Sequence, residues 1–194
     1  MLLSVCAVVA AMLAPLGAQG QLEKEKEPDA TSQPAFKYTA YVGWGYTSIN
    51  QVTLSESGLQ GVTYAGTRNW GRYFGLTGQG GYYAYSVTRA NAGNPTVEYY
   101  LGGPEVHANL YGRTSLFVHG LLGVAHTGGV PIQPPVSFAG GFGIGGEYRL
   151  SQRLSVRLQG DDIGSSFTIQ PYQSGDSPHR HFNAHATIGI AYRF

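Results

Sequence analysis

Cysteine is almost absent. Cys6 is the only one in a chain of 194 residues, so no intrachain disulfide can form. Beyond position 6 no thiol is left to act as a nucleophile or a thiolate metal ligand. Charge is scarce as well: 12 Lys and Arg and 11 Asp and Glu make up 12% of the chain, half the share of about 25% usual in a soluble globular domain. Six of those charges stand together in "EKEKEPD" (Glu23 to Asp29), so the remainder is poorer still. A net charge of +1, with no Lys/Arg-rich stripe, removes the electrostatic case for nucleic acid. After the first twenty residues no stripe of helical period appears. What the chain has in quantity is glycine (29) and tyrosine (14).

The opening "MLLSVCAVVAAMLAPLGAQGQ" is an apolar run followed by small residues, the pattern of a secretory signal peptide over residues 1–20 with cleavage near Ala18 or Gly20. No Lys or Arg precedes its apolar core. At about a dozen residues that core is short of the roughly 20 needed to cross a bilayer as a helix. Val5 precedes Cys6 and the apolar run continues past it, which argues against a lipid attachment site. Residues 21–35, polar and punctuated by Pro28 and Pro34, read as a flexible leader without a fold of its own.

From Phe36 the pattern turns to period two. In "FKYTAYVGWGYTS" one stripe is Phe36, Tyr38, Ala40, Val42, Trp44 and Tyr46; the other is Lys37, Thr39, Tyr41, Gly43, Gly45 and Thr47. Alternation of this kind puts one stripe on each face of a strand. Seven further strands are expected at 58–68, 73–86, 97–110, 115–127, 138–150, 154–164 and in the closing "HFNAHATIGIAYRF". Within 97–110, Gly102, Gly103 and Pro104 predict a bulge or bend, because proline withholds a ladder donor. Short turns fall near Asn69, Gly112 and Gln152, and longer links near 48–57, 87–96, 128–137 and 165–180. Hairpins with short turns at one end and long links at the other predict an all-β, closed antiparallel up-and-down barrel of eight strands over residues 36–194.

Period two alone does not say whether the barrel faces water or lipid. The placement of charge does. One stripe is nearly charge-free: Leu116, Val118, Leu122 and Val124, then Phe138, Phe142, Ile144 and Tyr148, then Leu154, Val156 and Leu158. The charges fall opposite, at Glu147, Arg149, Arg157 and Asp161, with Gln159 between. An apolar exterior around a polar lumen is the arrangement of a transmembrane barrel, and a closed barrel pairs every backbone group internally, as lipid requires. Aromatics cluster near strand ends, as interfacial girdles do.

On these residues the chain resembles the small bacterial outer-membrane β-barrels of the OmpA/OmpX type. The most specific piece is "ATIGIAYRF", in which Ile188, Ile190, Tyr192 and Phe194 are similar to the C-terminal signal that this family presents to the barrel-assembly machinery. The resemblance implies residence in the bacterial outer membrane, contact with outer-membrane lipid, and a monomer.

Glu105, His107, His119, Glu147, Arg149, Arg157, Gln159 and Asp161 are expected to face the lumen as a structural cluster. An eight-stranded lumen is just wide enough to be filled by side chains. His179, His181 and His185 share parity, but they spread over roughly 20 Å of strand at about 3.3 Å per residue, so no compact metal site is expected. Ser166 or Ser177 beside His179 matches no catalytic motif, and "GGFGIGG" resembles a phosphate loop in composition only. The expectation is a structural or surface-interaction barrel without catalysis, cofactor or metal. The alternatives are a narrow solute or ion pore, a lipid-modifying outer-membrane enzyme, and a soluble lipocalin-like binder.

Overall fold

The alternating segments form strands wherever aromatic and β-branched residues on one face meet small or polar ones on the other. The computed structural model describes residues 36–49, 57–84, 96–110, 112–128, 132–133, 136–165, 168–169 and 181–194. The expected signal peptide and leader, as well as Ser166, Ser177 and His179, lie outside the described residues. The strands are β1 (Tyr38–Ile49), β2 (Ser57–Trp70), β3 (Phe74–Ala84), β4 (Thr96–Asn109), β5 (Thr114–Gly128), β6 (Ile132–Gln133), β7 (Val136–Arg149), β8 (Leu154–Ser165), β9 (Thr168–Ile169) and β10 (His181–Arg193).

Eight of them close a barrel in the order β1-β2-β3-β4-β5-β7-β8-β10, with β10 returning to β1. Every neighbouring pair is antiparallel. The seam between first and last strands runs from Thr39 opposite Arg193 to Thr47 opposite His185. Beyond it, the amide of Tyr38 donates to the carbonyl of Phe194 (2.9 Å) and that of Phe194 donates back (3.0 Å). Their rings stack with centroids 5.7 Å apart. The final residue of the chain therefore helps to remove the last sheet edge.

Three tight turns and the seam end lie at one rim. Gly71 begins the β2–β3 turn with φ +74° and Gly112 sits in the β4–β5 turn with φ +61°; both backbones are left-handed, which glycine enters without a Cβ clash. In the β7–β8 turn, Oγ of Ser151 accepts from the amides of Arg153 (3.4 Å) and Leu154 (3.1 Å).

Period two sorts the wall. Tyr38, Val42, Trp44 and Tyr46 point outward on β1, as do Phe138, Phe142, Ile144 and Tyr148 on β7 and Ile188, Ile190 and Tyr192 on β10. Ile188 is 52% exposed, whereas Arg157 and Asp161, inside, are 1% and 4% exposed. A water-soluble barrel would carry its charges on the outer face; here that face is a belt of large apolar side chains, which rules against the lipocalin-like alternative.

Three details depart from the sequence reading. The turn expected at "NWG" (Asn69–Gly71) falls two residues later, at Gly71–Tyr73. Asn69 and Trp70 still pair with Gly75 and Phe74, and the rings of Trp70 and Phe74 stack at 5.8 Å, so β2 extends until Gly71 permits the reversal. No bulge forms at Gly102–Pro104. Pairing with β3 is continuous there, and the register to β5 is the same before and after, Gly102 opposite Leu122 and Glu105 opposite His119. The ladder to β5 skips Gly103 and Pro104, which accommodates the missing proline donor without an inserted residue. Finally, the links expected near 128–137 and 165–180 contribute β6 and β9, which pair as a two-stranded ribbon. Two-residue strands are too short for periodicity to reveal.

Candidate functional site

The barrel interior divides into two halves. Towards the short turns it is charged. On β8, Arg157, Gln159 and Asp161 occupy successive inward positions. Facing them are Glu105 on β4, His119 on β5, Glu147 on β7 and Gln79 on β3, all buried. Arg157 reaches across the lumen: Nη2 donates to Glu105 Oε2 (2.9 Å), Nη1 to Glu147 Oε1 (3.4 Å) and Nε to Gln159 Oε1 (3.0 Å). Its guanidinium lies 3.6 Å over the ring of Phe117 and 5.2 Å from that of Tyr41, so two aromatic rings add cation–π contacts to the ion pairs.

The carboxylates are held from several strands. Glu105 also accepts from Thr67 Oγ1 (3.4 Å) and lies 3.3 Å from His119 Nδ1. The other ring nitrogen of His119 lies 2.7 Å from Asp161 Oδ1. Asp161 Oδ2 accepts from Gln159 Nε2 (2.8 Å) and Gln79 Nε2 (3.2 Å), while Gln159 donates a second time to Gln79 Oε1 (2.9 Å). Glu147 accepts from Ser155 Oγ (3.3 Å) and from Arg193, which closes the network at the seam. Buried charges are tolerated only when paired and hydrogen-bonded, and each carboxylate here has at least three polar neighbours.

A glycine makes the central contact possible. Gly143 on β7 is opposite His119 on one side and Asp161 on the other, so these two side chains meet above it. A Cβ at that position would run into Asp161 Oδ1 and His119 Nε2. Gly143→Ala is accordingly expected to push His119 off Asp161. It should cost about 1–3 kcal/mol, the usual range for overpacking, seen as a lower urea midpoint for the folded form.

The other half of the lumen is uncharged and holds an apolar cluster among buried Thr47, Thr127, Ser137, Ser165 and His185, less polar than the interior the sequence led us to expect. Leu59, Leu101, Leu121, Ala125, Ala139 and Ile163 pack with Tyr83 and Tyr99. The tyrosine hydroxyls, 2.6 and 3.0 Å from Thr63 Oγ1, join this layer to the charged one through Gln79 Nε2, 3.4 Å from the hydroxyl of Tyr99. His185 stands edge-on between the two tyrosines at 5.2 and 5.4 Å.

Of the eight residues expected in the lumen cluster, Glu105, His119, Glu147, Arg157, Gln159 and Asp161 come together. His107 lies at its edge, with Nε2 3.1 Å from Glu105 Oε1 but off the hydrogen-bonding axis. Arg149 does not enter it. That side chain turns to the rim, where Nη2 donates to the carbonyl of Gly112 (2.8 Å). Thr67, Gln79 and Arg193 belong to the network and were missed. Inward parity was the only signal for Thr67 and Gln79, whose uncharged side chains do not stand out by it. Arg193 has both charge and parity but is the last residue of β10, where a rim position was equally open. His181 lies on β10; His179 is outside the described residues. Ile188, Ile190, Tyr192 and Phe194 all line the outer face of the seam.

No family model and no curated protein sequence matches the chain. Solved structures do resemble it in fold. Neisserial surface protein A superposes with a TM-score of 0.65 at 7% identity, covering 81% of this chain and 97% of that one. Ail, the attachment invasion locus protein of Yersinia pestis, gives 0.57 at 12% identity over 82% and 99%. The outer membrane protein OprG from Pseudomonas aeruginosa gives 0.52 at 8% over 84% and 97%. At these identities the likeness is one of fold: a small closed barrel of the kind found in bacterial outer membranes.

Proposed function

We propose that this protein is an integral outer-membrane barrel whose interior is a structural plug and whose role is structural or surface interaction, not catalysis. The observation that carries the reading is the inversion of the wall: large apolar side chains encircle the outside while Glu105, Glu147, Arg157 and Asp161 are sealed within. Lipid rewards that arrangement and water penalises it. Contacts with other molecules fall to the segments joining the strands opposite the short turns, residues 50–56, 85–95, 129–135 and 166–180. A similar fold in Ail, the attachment invasion locus protein of Yersinia pestis, is consistent with such a surface role. During biogenesis Ile188, Ile190, Tyr192 and Phe194 serve as the strand offered to the assembly machinery.

The test is electrophoretic. Extracted in detergent and loaded unheated, the folded protein should migrate apart from the boiled sample, because a closed barrel resists the detergent until heated. Solubility without detergent and a single band in both lanes would sink the proposal. In planar bilayers no conductance is expected, since charged and apolar layers both fill the lumen; steady single-channel currents would instead favour the pore.

A further inference from the structure

The charges outside the lumen are unevenly placed. Lys37, Arg68, Arg72, Arg113 and Arg153 are exposed, and all five stand at the rim that carries the short turns. Each of the three turn regions supplies one: Arg72 between β2 and β3, Arg113 between β4 and β5, Arg153 between β7 and β8. Lys37 precedes β1 and Arg68 lies near the end of β2, so the positive charge runs round the wall instead of gathering on one side. Among the described residues no Asp or Glu is exposed at this rim. Near the opposite end the described outward charges are acidic, Glu98 and Asp162, both partly exposed. The segments outside the described residues that join the strands at that end hold Glu56, Arg89, Asp176 and Arg180, two of each sign. The residues before Lys37 hold Glu23, Lys24, Glu25, Lys26, Glu27 and Asp29, four acidic and two basic, a net −2 that is smaller than the five positive charges of the rim.

The basic residues are interleaved with the aromatic girdle. The Arg68 guanidinium lies 5.3 Å over the ring of Trp70, and Arg153 Nη1 is 3.5 Å from the hydroxyl of Tyr192. Both aromatics are on the outer face. Rings of this kind sit at headgroup depth, which sets the cations beside them at the level of lipid phosphates.

We propose that this rim is a basic collar that binds anionic glycerophospholipid headgroups of the adjoining leaflet, the phosphates being shared among the turn arginines. A ring suits a leaflet that surrounds the barrel; a docked macromolecule would call for a patch on one side. The binding anchors the short-turn end at its leaflet and gives the barrel a preferred lipid shell. The proposal rests on the membrane reading above.

The test uses the full chain folded into phosphatidylcholine vesicles containing phosphatidylglycerol, with spin-labelled forms of each lipid reporting the motionally restricted shell. Phosphatidylglycerol should be enriched over phosphatidylcholine by about threefold or more, given roughly one kcal/mol per cation near an anionic surface. High salt should reduce the enrichment. The combined variant Arg68→Gln, Arg72→Gln, Arg113→Gln, Arg153→Gln should bring the ratio close to unity, and the corresponding four Lys substitutions should keep it. Glu98→Gln with Asp162→Asn, at the other end, should leave it unchanged. Equal shell occupancy by the two lipids in the unaltered protein, or enrichment insensitive to salt, overturns the proposal without any variant. So does undiminished enrichment in the Gln variant. A protein that lacks the heat-dependent gel shift would instead fail the membrane reading itself, so the two failures are distinguishable.

Discussion

Arg157→Met should lower the stability of the folded barrel by about 3 kcal/mol, the low end of what breaking a buried pair costs. The reason is the company Arg157 keeps. Its guanidinium donates to Glu105, Glu147 and Gln159 at 2.9, 3.4 and 3.0 Å, and the side chain is 1% exposed. Methionine fills much of the volume between Phe117 and Tyr41 but leaves two carboxylates without their shared cation. The loss stays at the low end because each keeps another partner: Glu105 has His119 and Thr67, and Glu147 has Arg193 and Ser155. Adding Glu105→Gln removes the less well compensated charge. The double variant should therefore be more stable than the sum of its parts, with a coupling of about 1–3 kcal/mol, typical of residues in one network. Urea titrations of the folded band in lipid vesicles give all three numbers. Strict additivity would mean that Arg157 and Glu105 do not act as a pair, and the network would then be a set of independent contacts.

The parts of this barrel that could be read from the sequence are those governed by parity. Tyr38 to Tyr46, Phe138 to Tyr148 and Ile188 to Tyr192 alternate strictly, and strict alternation fixes the face of every residue once one is known. Away from the strand ends most charges fall on the inner parity, Asp162 being an exception on β8, so Glu105, Arg157 and Asp161 could be assigned to one lumen. Which of them touch could not be read. Arg157 and Glu105 are 52 positions apart and meet only because β5 and β7 curve between them; closure and register decide that, and neither is a local property. Arg149 shows the limit from the other side. It has the inward parity of Glu147, but two residues nearer the strand end it reaches the rim, and its guanidinium goes to the Gly112 carbonyl. The apolar cluster in the lumen was hidden for a related reason. Leu121 and Leu122 are adjacent, and only the wall's closure shows that one is buried while the other faces outward. Gly143 was noticed only as one of a run of glycines, since the His119–Asp161 contact it admits belongs to two other strands.

Ile144→Arg should destabilise the barrel in a bilayer by about 2–4 kcal/mol, the cost of a cation near the membrane midplane. Ile144 points outward on β7, between Val118 on β5 and Gly160 on β8, with Tyr148 towards the short turns and Phe138 towards the far rim. The one carboxylate within reach is Asp162, outward on β8 and diagonal to Ile144 across the Gly160 pair. The substitution is therefore made on an Asp162→Asn background and compared with that single variant; the arginine must then reach along the wall to find water. In a soluble barrel the same change would fall within about 0.5 kcal/mol of neutral, as surface substitutions do. Depth sharpens the comparison. Leu110, exposed beside the β4–β5 turn, lies near the headgroups, and Leu110→Arg should cost about 0–1 kcal/mol. The gradient between the two sites is the discriminating quantity, because general damage to a strand does not depend on distance from a membrane surface. Urea titration in phosphatidylcholine vesicles measures both, with the gel shift reporting the folded fraction. Equal costs at the two positions, or a neutral Ile144→Arg, would show that the apolar belt meets something other than the core of a bilayer. The wall would then have to bury those side chains against a protein partner that surrounds it on every side.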